Sequence, residues 1–256
     1  MYSRVATKET IKIGGSPTEL RSRASIYRLL AGAFLEEPRA DYLTALRHPD
    51  ALADLAQLGV QFDADITETD LEALTDALAC EYTTLFVAPG GCPPVESVRL
   101  FGRTQQEPFQ KVKRVYARAG FSLQPGRFAL FEDQLGVELL FVASMLERLA
   151  VSVEEDNEPA SKQLEKEIKR FWALHLGRWV RGYAKLLASV TEHSFYREIA
   201  NLLHDFAEEE LALLGVRIDD IDCGKAVVPK VEIPLEFNPD EPICGACSAG
   251  ESKAVA

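Results

Sequence analysis

Between residues 16 and 215 the apolar side chains return every three or four positions, and no stretch alternates apolar with polar as a strand does. That period confines the chain to helices packed on helices. The first helix is announced by Ser16-Pro17-Thr18-Glu19, with Ser16 as N-cap, Pro17 at the first helical position and Glu19 closing a capping box. Leu20, Ala24, Tyr27, Ala31 and Phe34 then mark one face. Short helices are predicted over 39–47 and 50–58, and a longer one from a cap at Thr67 to Asp70 as far as Phe86. Further helices follow from Pro108 to Gly120 and over 128–150, 161–175, 178–190 and 194–214. The segment 128–150 is apolar on most of its circumference and is expected at the centre of the core. The expectation is a single all-α domain of about eight to ten helices over 16–215. A flexible stretch of 1–15 precedes it, and an acidic, irregular or disordered tail of 216–256 follows it.

One segment breaks the period. EYTTLFVAPGGCPPVESVRLFG, residues 81–102, holds three prolines and three glycines, yet keeps Leu85, Phe86, Val87, Val95, Val98, Leu100 and Phe101. Prolines lower the entropy of the free chain, so such a segment holds one shape without regular structure. Its apolar residues either anchor it to the core or face a partner. Glu138 stands in the most apolar helix, where an unpaired carboxylate is costly. It is therefore expected buried or half-buried, accepting hydrogen bonds that fix the irregular loop at 87–103.

The chemistry of many enzyme classes is missing. The four histidines, His48, His175, His193 and His204, form no HExxH pair, and no glycine-rich phosphate loop or GxSxG elbow is present. His204 and Glu208, one turn apart, are expected to pair at the surface; His175, between Phe171 and Trp179, is expected to pack or cap. Five cysteines, an odd number in a long chain, do not read as a disulfide framework, and the reducing cytosol is the expected compartment. Cys244-Gly245-Ala246-Cys247 has zinc or redox spacing, but only Cys223 lies nearby as a further ligand, and a tail pair without fixed metal is preferred. A net charge of −12 repels nucleic acid and anionic membrane and favours basic partners.

Two motifs, read together, resemble the TorD/DmsD/NarJ group of chaperones for molybdenum enzymes. Tyr82, Leu85, Phe86, Pro89, Pro94, Ser97 and Val98 match a Y-x-x-L-F segment followed by P and P-x-x-S-V. Asp133, Leu135, Glu138, Leu139 and Phe141 match a P-D-H-(I/L)-x-x-E-L-x-F-M segment, and the resemblance runs over roughly 20–215. Here the Pro-Asp-His is Glu132-Asp133-Gln134, so a neutral amide stands where relatives place a titratable imidazole.

The resemblance implies a cytoplasmic chaperone, not an enzyme and without a cofactor of its own. It would bind the apo catalytic subunit of a molybdopterin-dependent oxidoreductase at its N-terminal twin-arginine leader and prevent premature export. On that reading Tyr82, Leu85, Phe86, Pro94, Glu96, Ser97, Val98, Asp133 and Gln134 form the client site, with Glu96 and Asp133 meeting the arginines. Pro89 and Glu138 support it. Two other readings remain open: a helical enzyme holding a metal between Asp133, Glu138 and His204, and a structural subunit of a redox complex.

Overall fold

The computed structural model describes residues 15–123, 126–127 and 129–222. The expectations for 1–14 and for the Cys223, Cys244 and Cys247 cluster lie outside the described residues. The described residues form one all-helical domain: α1 (Pro17–Leu35), α2 (Ala40–Leu46), α3 (Pro49–Gln57), α4 (Ala64–Thr67), α5 (Leu71–Tyr82), α6 (Glu96–Phe101), α7 (Glu107–Ala119), α8 (Leu135–Glu154), α9 (Glu158–Leu174), α10 (Val180–Val190) and α11 (Ser194–Leu213). The capping box at Ser16 is formed, with Glu19 N donating to Ser16 Oγ and Ser16 N donating to Glu19 Oε2. At α5 the cap is Asp70, which accepts from Glu72 N and Ala73 N; Thr67 instead ends the extra turn α4. Among the described residues no helix is long and apolar enough to cross a membrane.

α8 is the central helix, with thirteen of its twenty residues buried. It starts at Leu135, not near 128. Gln134 accepts from Val137 N and caps it, and the chain before it makes a turn closed by Gln134 N donating to Phe131 O at 3.1 Å. α1 lies antiparallel against α8. Arg21 pairs with Glu154 at 2.6 Å and Arg28 with Glu147 at 2.6 Å, while Gly136 touches Leu35 at the opposite end. A Cβ on Gly136 would sit 2.7 Å from Leu35 Cγ and 3.0 Å from Ala31 O, so glycine sets the helix spacing there.

α11 closes the other side of α1. Its buried Glu210 accepts from Tyr27 Oη at 2.8 Å and from Arg23 Nε at 2.9 Å, and Trp172 Nε1 donates to Tyr27 Oη at 2.7 Å. A carboxylate in the core is tolerated because it is paired and hydrogen-bonded. Gly177 turns the chain between α9 and α10 where a Cβ would lie 2.7 Å from Trp172 O. The acidic tail does not begin loose at 216. Arg181 donates to Ile218 O, Asp220 accepts from Gly182 N, and Asp222 binds Arg99 at 2.7 Å, so 216–222 is irregular but tied down.

Candidate functional site

The segment that broke the helical period is built in three steps. α5 widens into a π-helical turn over Thr83–Val87, with Thr83 and Thr84 hydroxyls donating back to Ala79 O and Cys80 O. Such bulges shift the exit direction of a helix. The chain then folds back on itself: Ala88 N donates to Thr83 O and Cys92 N to Leu85 O at 2.6 Å. Gly90 takes φ +87°, and Gly91 lies so close that a Cβ would stand 2.5 Å from Leu85 O. A side chain is strained by the positive φ at the first place and blocked by backbone at the second. Finally Pro93-Pro94 leads into a two-residue antiparallel bridge between Val95 and Gln134.

That bridge brings the two sequence motifs together. Glu96 N donates to Asp133 O at 2.9 Å and Leu135 N to Pro94 O at 2.8 Å. Asp133 Oδ2 accepts from Ser97 N at 2.9 Å, capping α6 from another segment, and Ser97 Oγ accepts from Gln106 N at 3.1 Å. Gln134 uses both ends of its amide, donating through Nε2 to Phe34 O and accepting from Val137 N. Tyr82 Oη donates to the same Phe34 carbonyl at 3.2 Å, and Tyr183 Oη to Cys92 O at 3.0 Å. The supposed irregular loop thus contains a helix, α6, and is fastened from four sides.

The nine proposed client-binding residues, Tyr82, Leu85, Phe86, Pro94, Glu96, Ser97, Val98, Asp133 and Gln134, are all buried. This corrects the expectation that Glu96 and Asp133 line a groove and meet arginines. Their oxygens are turned inward by the bridge and by the α6 cap. Phe86 packs among Phe34, Tyr82 and Tyr196 at ring distances of 5.0–5.8 Å, so these aromatics are core. Pro89, expected as support, is exposed at the tip of the turn. The large apolar side chains that the segment shows to solvent are Val87, 67% exposed, and Phe101, 50% exposed. Glu36 and Glu37, only half-buried, lie close enough to Tyr82 to help burial push its hydroxyl up to about 12.

Behind the bridge lies a buried acid cluster. Glu138 is fully buried, as expected, but it does not accept hydrogen bonds from the loop: neither oxygen meets a fixed donor, and the group that faces it is the Glu96 carboxylate. Burial first, then the charges of Glu96 and Asp133, hold its acidity well above the usual carboxylate range. Glu138 is therefore the carboxyl of the pair that favours the neutral acid, the form that can donate to Glu96. On its other oxygen Glu96 meets His175 Nδ1 at 2.8 Å. Burial likewise raises Asp133, offset in part by the Ser97 hydrogen bonds. His175 follows α9 and packs against Phe171 with ring centroids 4.9 Å apart, so its packed reading holds, but its carboxylate partner was not legible in sequence. Tyr116 closes the cluster, its hydroxyl donating to Glu132 O at 3.1 Å.

Among the described residues Glu96, Glu138 and His175 form the group whose donor atoms converge, all within 4.8 Å of one another. A cation there would replace the proton of Glu138. The metal set proposed from sequence does not assemble, since His204 meets Asp205 at 3.0 Å instead of Asp133 or Glu138. Nor does His204 pair with Glu208, which is taken by Arg181 at 3.2 Å.

A profile described as the nitrate reductase delta subunit matches residues 47–185, which span the bridge, the acid cluster and α6 to α9. The chain belongs to the nitrate reductase delta subunit family. Among solved structures, a proposed redox enzyme maturation protein from Archaeoglobus fulgidus is similar, with 21% identity, a TM-score of 0.43, and coverage of 76% of this chain and 95% of that one. No curated protein matches the chain. Within this family member, the two motifs that carried the sequence resemblance are the two sides of one bridge, Pro94 to Val98 and Asp133 to Glu138.

Proposed function

We propose that this chain is a maturation chaperone. It holds the catalytic subunit of a nitrate-reductase-type, molybdopterin-dependent enzyme in the cytoplasm until the cofactor is inserted, and it engages the N-terminal leader of that subunit. The observation that carries the reading is membership of the delta subunit family over residues 47–185, the part of the chain that builds the tied segment. The geometry supports recognition by a fixed frame, not by the buried residues themselves. Tyr82, Leu85, Phe86, Pro94, Glu96, Ser97, Val98, Asp133 and Gln134 hold the segment rigid, and its exposed apolar ends, Val87 and Phe101, are left to meet an apolar stretch. Half-buried Glu36 and Glu37 stand beside Tyr82, and the net charge of −12 attracts a basic leader.

The test is a pull-down of the tagged full chain from its native host, with mass spectrometry and a molybdenum assay of what is bound. A molybdoenzyme catalytic subunit lacking molybdenum supports the proposal. Capture only of active, molybdenum-loaded enzyme would make the chain a resident subunit, and absence of any molybdoenzyme would end the chaperone reading.

A further inference from the structure

Between α7 and α9 runs an open groove of about 880 Å³ on the far side of the acid cluster, with His175 among its lining. Its walls carry Lys111, Arg114, Arg118, Lys166, Arg170 and Arg178 against one carboxylate, Glu167, and Lys111 is paired with Glu107 at 2.8 Å. In a chain of net charge −12 this is a concentrated cationic strip. Arg114, Arg118, Lys166 and Arg170 make no salt bridge to a carboxylate among the described residues, so their charges face the groove uncompensated. The floor is apolar, made by Val115, Phe171 and Leu174, and Leu174 is 45% exposed. An occupant must therefore be acidic along its edges and apolar along one face. The strip disfavours a divalent cation reaching His175 by this route.

The described chain ends at the mouth of this groove. Ile221 N donates to Arg178 O at 2.7 Å, and Arg178 is one of the lining cations. Asp222 is anchored on Arg99 at 2.7 Å, so the exit point is fixed. Beyond it, Val231-Glu-Ile-Pro-Leu-Glu-Phe-Asn-Pro-Asp-Glu-Pro242 contains four acids and no base. Written as an extended strand, Val231, Ile233, Leu235 and Phe237 fall on one face and Glu232 and Glu236 on the other. Three prolines, Pro234, Pro239 and Pro242, favour that extended form and exclude a helix. Eight residues, nine steps along the chain, separate Asp222 from Val231, a reach of about 30 Å, against roughly 22 Å for the groove wall from Gln163 to Arg178.

We infer that residues 231–242 of this chain dock in the α7–α9 groove, with Ile233, Leu235 and Phe237 on its apolar floor and Glu232 and Glu236 against its arginines and lysines. The acidic tail is then a built-in occupant, and any other acidic segment reaches the groove only by displacing it. This inference does not depend on the chaperone reading.

Zero-length carbodiimide crosslinking of the full-length monomer tests it, since that reagent joins a lysine to a carboxylate only in direct contact. Crosslinks from Lys111 or Lys166 to Glu232 or Glu236 are expected within one chain. The double substitution Arg114→Glu/Arg170→Glu, on exposed helix faces, is expected to cut their yield about tenfold by turning attraction into repulsion. Lys162→Glu, outside the groove, is expected to leave them unchanged. Crosslinks only between two copies would assign the groove to a second chain. Their absence, or their survival in the double variant, would assign it to a foreign acid or to none. Each of these outcomes overturns the inference.

Discussion

Replacing Glu138 by glutamine isolates the buried proton. Glu138 is fully buried against Glu96, and its acidity is raised by burial and by neighbouring negative charge. The sign follows from linkage. An acid whose folded pKa is raised contributes stability that is complete below its unfolded value, near 4.5, and that is lost as pH rises through the folded value. One proton held by the folded state alone costs about 1.4 kcal/mol of stability per pH unit in that window. The amide introduced by Glu138→Gln keeps the shape and still donates to Glu96, so it mimics the protonated acid at every pH. The stability of variant minus wild type is therefore expected to grow by about 1.4 kcal/mol per pH unit wherever the folded acid keeps a proton that the unfolded chain has lost. For a domain of this size that is roughly 3–6 °C in Tm per unit. Urea unfolding at pH 5.5, 6.5 and 7.5, with and without a chelator, measures it. Parallel pH profiles for the two proteins would refute the protonated Glu138. So would a wild type that loses stability to the chelator, since a bound cation would then hold the cluster.

Three further outcomes follow from the geometry. Gly91→Ala places a Cβ 2.5 Å from Leu85 O and 2.7 Å from Thr84 O, both backbone, so a loss of about 2–3 kcal/mol is expected in thermal or urea unfolding. Asp222→Asn removes the anion facing a fully buried Arg99 and is expected to destabilise the chain by about 3 kcal/mol, checked the same way. Val87→Asp and Phe101→Asp are expected to weaken leader binding at least tenfold, about 1.4 kcal/mol or more, with Tm unchanged, because both side chains are exposed. Calorimetry with the client's N-terminal peptide at two salt concentrations checks this. Binding should also weaken with salt, since exposed charges are screened over about 8–10 Å.

The helical class was legible because it rests on local rules. A three-and-four period, a capping box at Ser16 and glycines at helix ends act over a few residues, and the structure follows them within a turn for most helices. The errors fall where distant segments intervene. Residues 129–134 looked like the start of α8, but they end in a turn at Glu132-Asp133, and Gln134 pairs with Val95 instead of continuing a helix. Glu96 to Phe101 looked irregular after its prolines, but Asp133 caps it as a helix from another segment.

The candidate site divides in the same way. The sequence by itself determined which residues are unusual: a proline- and glycine-rich break that stays apolar, and a carboxylate at Glu138 inside the most apolar helix. It could not determine which way they face, because burial is decided by whatever packs on the other side. Only the tertiary structure turned Glu96 and Asp133 inward, set Glu96 between Glu138 and His175, and left Val87 and Phe101 outside. It alone aligned the scattered cations of α7 and α9 along one groove, since residues some fifty positions apart share a surface only once their helices have docked.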